Sequence, residues 1–281
     1  MVGGRLIRGT GDRGTIAAMP SSELLDGLDL AVEAFIVDLT RRTPGGQVLR
    51  QDGLLLAIGV DPSPVVVNSI LTVGRVVELT AIERAADVFR NAGHGVAVWT
   101  RDRLDGKLEA ELASAGYRTM ITVPGMIVEQ PLPAREPPAG VTVRRVETDA
   151  DRMSWVTANL TGFAADDHDR GAVRSAYSTL DSLVGGPIAG FVAEADGRPV
   201  GAAMVFVDEP TGIGVVGWVG TVPEYRRRGI GDAVTRAATN AGFALGARIV
   251  SLQASPMGLP LYEKLGYRTV GAYKIWFRPG T

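Results

Sequence analysis

The 281-residue sequence predicts an α/β (α+β) protein built from two consecutive copies of one fold, and three observations carry that reading. Runs of strand character alternate with helical periodicity along the chain. Gly116-Tyr-Arg-Thr119 recurs as Gly266-Tyr-Arg-Thr269, each after a short helical pattern and before an apolar strand. Between the copies lies the stretch Gln130 to Gly140, where four prolines in eleven residues predict an extended linker. The expected division is 1–130, a linker at 131–140, and 141–281.

Residues 1–20 carry glycine and arginine with little periodicity and read as a loose leader or short edge strand. Leu24, Leu28, Ala31, Phe35 and Leu39 then recur at helical spacing until Pro44-Gly45-Gly46. Val48 to Val60 and Val65 to Leu71 predict strands joined through Asp61-Pro62-Ser63-Pro64, and Val76 to Leu79 continues the sheet. Thr80 with Glu83 suggests a capping box for a helix to Asn91, with Gly93 as its stop. A strand over Gly95 to Thr100, a helix over Asp105 to Ala115, and one or two strands over Tyr117 to Glu129 complete the first copy.

In the second copy, Val141 to Val146 predicts a strand, followed by helices near Asp151 to Leu160 and Asp169 to Leu180. The strands Phe191 to Ala195 and Pro199 to Val207 flank Asp196-Gly197-Arg198, a hairpin signature. Strand Val215 to Val222, a helix ending at Gly246, strand Arg248 to Gln253, a helix to Leu265, and strands Tyr267 to Val270 and Ala272 to Phe277 follow. From Leu79 to Gly93 is 14 residues and from Val222 to Gly246 is 24, which assigns the first copy a shorter turn at this point.

Composition narrows the chemistry. With 29 Lys+Arg against 31 Asp+Glu, no global field draws the protein to nucleic acid or an anionic membrane. Zero Cys excludes thiol nucleophiles and disulfides, and two His are too few for a His-rich metal centre, so no metal is expected. The absence of a secretory pattern and of a long apolar run predicts a soluble, cytoplasmic protein, monomer or homodimer. Gly-x-Gly-x-x-Gly matches at Gly9 to Gly14 and Gly212 to Gly217 lack the strand-to-helix context of a dinucleotide site.

One stretch has the right context for an anion. Val219-Gly220-Thr221-Val222 stops at Pro223, and Arg226-Arg227-Arg228 lead through Gly229-Ile230-Gly231 into a helical pattern. Free N–H groups at a helix N-terminus, glycines that admit close approach, and guanidinium forks together suit a diphosphate.

With its preceding Thr221-Val222-Pro223-Glu224-Tyr225, this Arg-x-x-Gly-x-Gly turn resembles the acetyl-CoA pyrophosphate signature of the GNAT superfamily of N-acetyltransferases. Leu261-Tyr-Glu-Lys-Leu-Gly-Tyr267 resembles a later segment of the same family. The resemblance covers residues 141 to 279, and 21 to 130 as a degenerate copy. It implies two tandem GNAT-like domains, each a mixed, mostly antiparallel sheet flanked by helices, the second binding acetyl-CoA or another short acyl-CoA. By position, Val219, Gly220 and Thr221 pair with the pantetheine arm, and N–H groups near the end of that strand face the developing oxyanion. Arg226, Arg227, Arg228, Gly229, Ile230, Gly231 and Asp232 surround the pyrophosphate, with Asp232 complementing the helix N-terminus. Ser255 stands where many members have a cofactor-contacting Asn. Tyr262 corresponds to the tyrosine that protonates the departing thiolate, and the matching first-copy position, Leu112, lacks a hydroxyl.

The implied reaction is direct acyl transfer to a small-molecule amine or a peptide in a ternary complex; a non-catalytic acyl-CoA-binding sensor or scaffold is the alternative. The general base is left open among Asp166, Asp167 and His168 on a polar loop, Glu194, and a water relay. Trp218 is read either as lining the cleft or as core.

Overall fold

The computed structural model describes residues 21–60, 67–163 and 174–279. In the first half, helix α1 (Ser21–Arg42) is followed by β1 (Gln47–Gln51), β2 (Leu54–Ile58), β3 (Ser69–Thr72), α2 (Leu79–Asn91), β4 (Ala97–Arg101), α3 (Gly106–Ser114) and β5 (Arg118–Val128). The second half contains β6 (Val141–Arg145), α4 (Asp149–Gly162), β7 (Ile188–Ala195), β8 (Arg198–Asp208), β9 (Ile213–Thr221), α5 (Ile230–Ala244), β10 (Ile249–Gln253), α6 (Leu259–Leu265) and β11 (Arg268–Phe277).

Several expectations are corrected. The first hairpin closes at Asp52 (φ 51°) and Gly53 (φ 75°), whose left-handed backbones suit a two-residue turn. It therefore divides the run Val48 to Val60, and residues 61–66, which include the expected turn at 61–64, lie outside the described residues. Val76 to Val77 is not strand and Leu79 begins α2, whose N-cap is Glu78 without a side-chain bond, so Thr80 and Glu83 form no capping box. The copies consequently differ less than the sequence count implies: six residues join β3 to α2 and eight join β9 to α5. Tyr117 to Glu129 contains one strand, and β11 is likewise one strand with a register shift between Thr269 and Gly271. A true capping box, Thr148 with Asp151, starts α4 two residues before the expected helix. The leader and residues 169–173 of the helix expected over Asp169 to Leu180 fall outside the described residues; of the rest, 174–176 are helical and 177–179 are turn and bend.

All eleven strands form one sheet in the order β1-β2-β3-β4-β11-β5-β10-β9-β8-β7-β6. The two halves exchange their last strands. β5 leaves the first half to pair with β10, β11 leaves the second to pair with β4, and the two pair with each other between them. Ala272 faces Pro124 in that central pair. Asp102 N donates to Ala272 O (3.0 Å) and Ala254 N to Pro124 O (2.8 Å), so a pseudo-twofold axis passes between Pro124 and Ala272. The repeated tetrapeptides obey it: Gly116 (φ 89°) and Gly266 (φ 101°) both end short helices in the left-handed conformation. After each, the next N–H returns to the helix, Tyr117 to Leu112 O and Tyr267 to Tyr262 O, both at 3.0 Å.

Strand alternation sends side chains to two unlike faces. One face is a single core spanning both halves under α1 and α4, including Leu28, Ile36, Trp99, Trp155, Val215 and Ile249. The other holds two cores, one beneath α5 and α6 around Val205, Val234 and Val250, the other beneath α2 and α3 around Leu56, Ile82 and Phe89. Helix α1 belongs to both halves. Leu28 packs where Gly125 of β5 has no side chain, and Phe35 where Gly217 of β9 has none; a Cβ at either glycine would come within 2.5 and 2.8 Å of them.

Candidate active site

The parallel pair β9–β10 is hydrogen-bonded only from Ile213↔Ile249 to Val215↔Ser251. Beyond that rung β9 runs on for six residues, Val216 to Thr221, with its β10-facing edge unpaired. An unpaired strand edge accepts an extended amide-bearing ligand as an added strand. On its other edge β9 is bulged against β8: Ala202 faces Gly220 and Met204 faces Gly217. Trp218 occupies the bulge at φ 54°, a left-handed backbone that is uncommon for a large side chain and concentrates at functional sites. Gly217 and Gly220 flanking Trp218 in a strand were the available sequence signal.

After Thr221 a short 3₁₀ turn, Pro223–Tyr225, brings the chain to the arginines. Arg227 (φ 64°) and Gly229 (φ 82°) are left-handed, and Gly229 is the N-cap of α5. Turns of this kind present N–H groups to an anion, beside the positive end of a 15-residue helix. Gly231 lets α6 approach: a Cβ there would lie 3.1 Å from Leu261. Ile230 is buried and anchors the helix start, while Asp232 in the first turn pairs with Arg236 (3.2 Å).

The three arginines have different work. Arg226 donates from Nε to Thr221 O (3.2 Å) and from Nη2 to Gly162 O (2.8 Å), tying the end of β9 to the end of α4. Arg228 is exposed, its guanidinium 5.1 Å from the Tyr225 ring centroid, and Arg227 is exposed. The cations open to a ligand are thus Arg227 and Arg228, a distinction the sequence did not carry.

Tyr262, on α6, is brought to the same end of the sheet as the turn through the Leu261–Gly231 contact. Its ring packs edge-on to Tyr267 (6.1 Å) and over Gly258, where a Cβ would approach it to 2.7 Å. Burial alone raises its phenol pKa above the ordinary value. Ser255 Oγ accepts from Gly258 N (3.1 Å), so this hydroxyl shapes the turn that seats Tyr262. Val219 packs on the α5 side, and Gly220 is buried against Phe163.

The opposite face of the strand end is aromatic. Trp218, 7% exposed, belongs to the core, with Phe35 of α1, Phe163 and Tyr177 around it at ring separations of 6.2, 6.0 and 6.0 Å. Ser251 Oγ at the last rung and Asn159 Oδ1 beside Gly220 are buried without a hydrogen-bond partner among the described residues. Of the proton acceptors considered, Glu194 bonds Arg144 (2.7 Å) on a strand two removed from β9, and Asp166, Asp167 and His168 lie outside the described residues. Among the described residues no cluster of His, Asp and Glu is suited to a metal, and no helix is long and apolar enough to cross a membrane.

The first half repeats the three-rung parallel ladder, Ser69↔Ala97 to Leu71↔Trp99, then closes where the second half opens. Thr72 Oγ1 donates to Asp105 Oδ2 (2.6 Å), which also accepts from Arg101 N (2.7 Å) and Nε (3.0 Å), while Arg101 Nη2 reaches Gly74 O (2.6 Å). This buried network stitches the strand ends together. The first half therefore differs from the second by side chains that bridge its parting strands, beside a pocket lined by Asp29, Thr72, Trp99 and Arg101, as well as by the missing arginine–glycine turn.

A mixed sheet flanked by helices, with a parallel pair that parts before an arginine–glycine turn, defines a GNAT-type fold. Residues 187–269 match the family described as Acetyltransferase (GNAT) domain. The chain is similar to mycothiol acetyltransferase of Thermomonospora curvata, 30% identical over 204 residues, covering 63% of this chain and 66% of that protein. It is also similar to mycothiol acetyltransferase of Thermobispora bispora, 31% identical over 201 residues and 65% of each chain. These matches span just under two thirds of the relatives' lengths. Among solved structures, a GCN5-related N-acetyltransferase from Kribbella flavida shares the fold with TM-score 0.66 at 21% identity, covering 93% of this chain and 95% of that one. A tandem GNAT protein from the clavulanic acid biosynthesis pathway does so with TM-score 0.57 at 17% identity, covering 91% and 93%.

Proposed function

We propose that the second half transfers an acetyl or other short acyl group from acyl-CoA to an amine while both are bound. The observation that carries this reading is the continuity of one surface: the unpaired edge of β9 from Val216 to Thr221 runs directly into the left-handed turn and the N-terminus of α5. Acyl-CoA fits it, having an amide-bearing arm for the edge and a diphosphate for the turn; when bound it supplies the thioester.

The residues divide the task. Val219, Gly220 and Thr221 present backbone groups to the arm. N–H groups of the turn hold the diphosphate with Arg227 and Arg228, and Arg226 keeps the strand end in place. Backbone N–H groups near the end of β9 face the oxygen on which negative charge develops. The neutral Tyr262 phenol donates to the leaving sulfur, and the amine attacks as its free base after losing a proton to water or to a general base.

The acceptor class is proposed as a small-molecule amine. The relatives named mycothiol acetyltransferase place the acceptor of that reaction first in a screen. The test is release of free thiol from acetyl-CoA across an amine panel. Amine-dependent release is expected; saturable CoA binding with no transfer to any amine would favour a binding module instead.

A further inference from the structure

The segment between the halves is fastened to α5 along its length. Asn240 accepts from Leu132 N (2.8 Å) and donates to Leu132 O (3.0 Å), and Arg236 Nη1 donates to Pro133 O (2.6 Å). Farther on, Pro138 packs on Gly229, the N-cap of α5, where a Cβ would meet its ring at 3.0 Å. Holding so many residues in one extended path costs conformational entropy. Its result is to set Arg135 beside the first turn of α5. Arg135 makes only a long contact there, 3.9 Å to Asp232 Oδ2, because Arg236 already takes that carboxylate, and its side chain is 64% exposed.

Acyl-CoA carries a 3′-phosphate on its ribose in addition to the diphosphate. Arg227 and Arg228 stand at the turn, Arg228 over Tyr225, and Arg226 and Arg236 are committed to carbonyl groups. Arg135, held beside the first turn of α5 by the fastened segment and largely exposed, is a further cation next to that turn. Resting on the acyl-CoA reading above, we propose that Arg135 binds the 3′-phosphate, so that the segment joining the halves forms part of the cofactor site and selects for the phosphorylated ribose.

The test compares CoA with 3′-dephospho-CoA by calorimetry on the full chain, wild type and Arg135→Gln. Wild type is expected to prefer CoA by about three- to tenfold, the scale of one part-solvated charge-assisted contact. Arg135→Gln is expected to lose that preference while keeping its affinity for 3′-dephospho-CoA and its melting temperature. An equal preference in the variant, or none in the wild type, would overturn the assignment. Failure of wild type to bind either compound would instead overturn the acyl-CoA reading and this inference with it.

Discussion

At the scale of single residues, Tyr262 shows what burial does to an acid. The phenol lies above its usual ~10, while a free thiol sits near ~8.5, so transfer to sulfur is uphill by resting values. In the reaction proposed above, its contribution is therefore a hydrogen bond that strengthens as charge gathers on the leaving sulfur. Tyr262→Phe is expected to keep CoA affinity and lower kcat by about 10²- to 10⁴-fold, read in steady-state assays. Since the raised pKa keeps Tyr262 neutral well past pH 7, the ratio of wild-type to variant kcat is expected to stay constant from about pH 6 to 9; a ratio that falls with rising pH in that range would show the phenol ionising. The arginines are separable too. Arg228→Ala is expected to weaken CoA binding several-fold without changing the melting temperature, whereas Arg226→Ala loses two hydrogen bonds, about 0.5–1.5 kcal/mol each, and lowers both. Calorimetry with thermal unfolding tells the two patterns apart.

At the scale of elements, α1 matters most, because a helix counted with the first half supplies Phe35 to the aromatic face beside β9. Its seat depends on absent side chains. Gly125→Ala is expected to destabilise by about 1–3 kcal/mol in urea unfolding through overpacking against Leu28, and Leu28→Ala in the same chain to recover part of that loss. A full additive loss in the double variant would show that the two positions do not press on one another. The order and type of most elements, and the turn at Arg226 to Gly231, were legible because periodicity and turn chemistry are local. Asp52-Gly53 carried the same kind of hairpin signal as Asp196-Gly197, but lay inside a long apolar run that reads as one strand. Other features were not local. Nothing near Arg226 reveals that Gly162, 64 residues away, would take its guanidinium, and the Arg101–Asp105–Thr72 network depends on a register only the fold supplies.

At the scale of the whole molecule, the exchanged strands bind the halves into one sheet. Strand periodicity identifies β5 and β11 but not their neighbours: β5 pairs with β10, more than a hundred residues away, where the repeat alone suggests two closed sheets. A fragment of residues 141–281 lacks the strand beside β10 and leaves β11 without β4 and β5, exposing ladder groups that must be paired. Expressed alone it is expected to show no cooperative unfolding transition and no CoA binding, and co-expression with residues 1–130 to restore both; a fragment that melts cooperatively and binds CoA by itself would show the exchange to be dispensable.

The exchange also changes what loss of chemistry in one copy can mean. The first half lacks the arginine–glycine turn and has Leu112 in place of a tyrosine, yet its β5 is the strand on which β10 rests. In this arrangement the first half cannot simply be removed, because the second half has lent away its own last strand and depends on the borrowed one. Whatever else it does, the first half serves the second as an internal subunit so long as β5 keeps its register against β10 and β11.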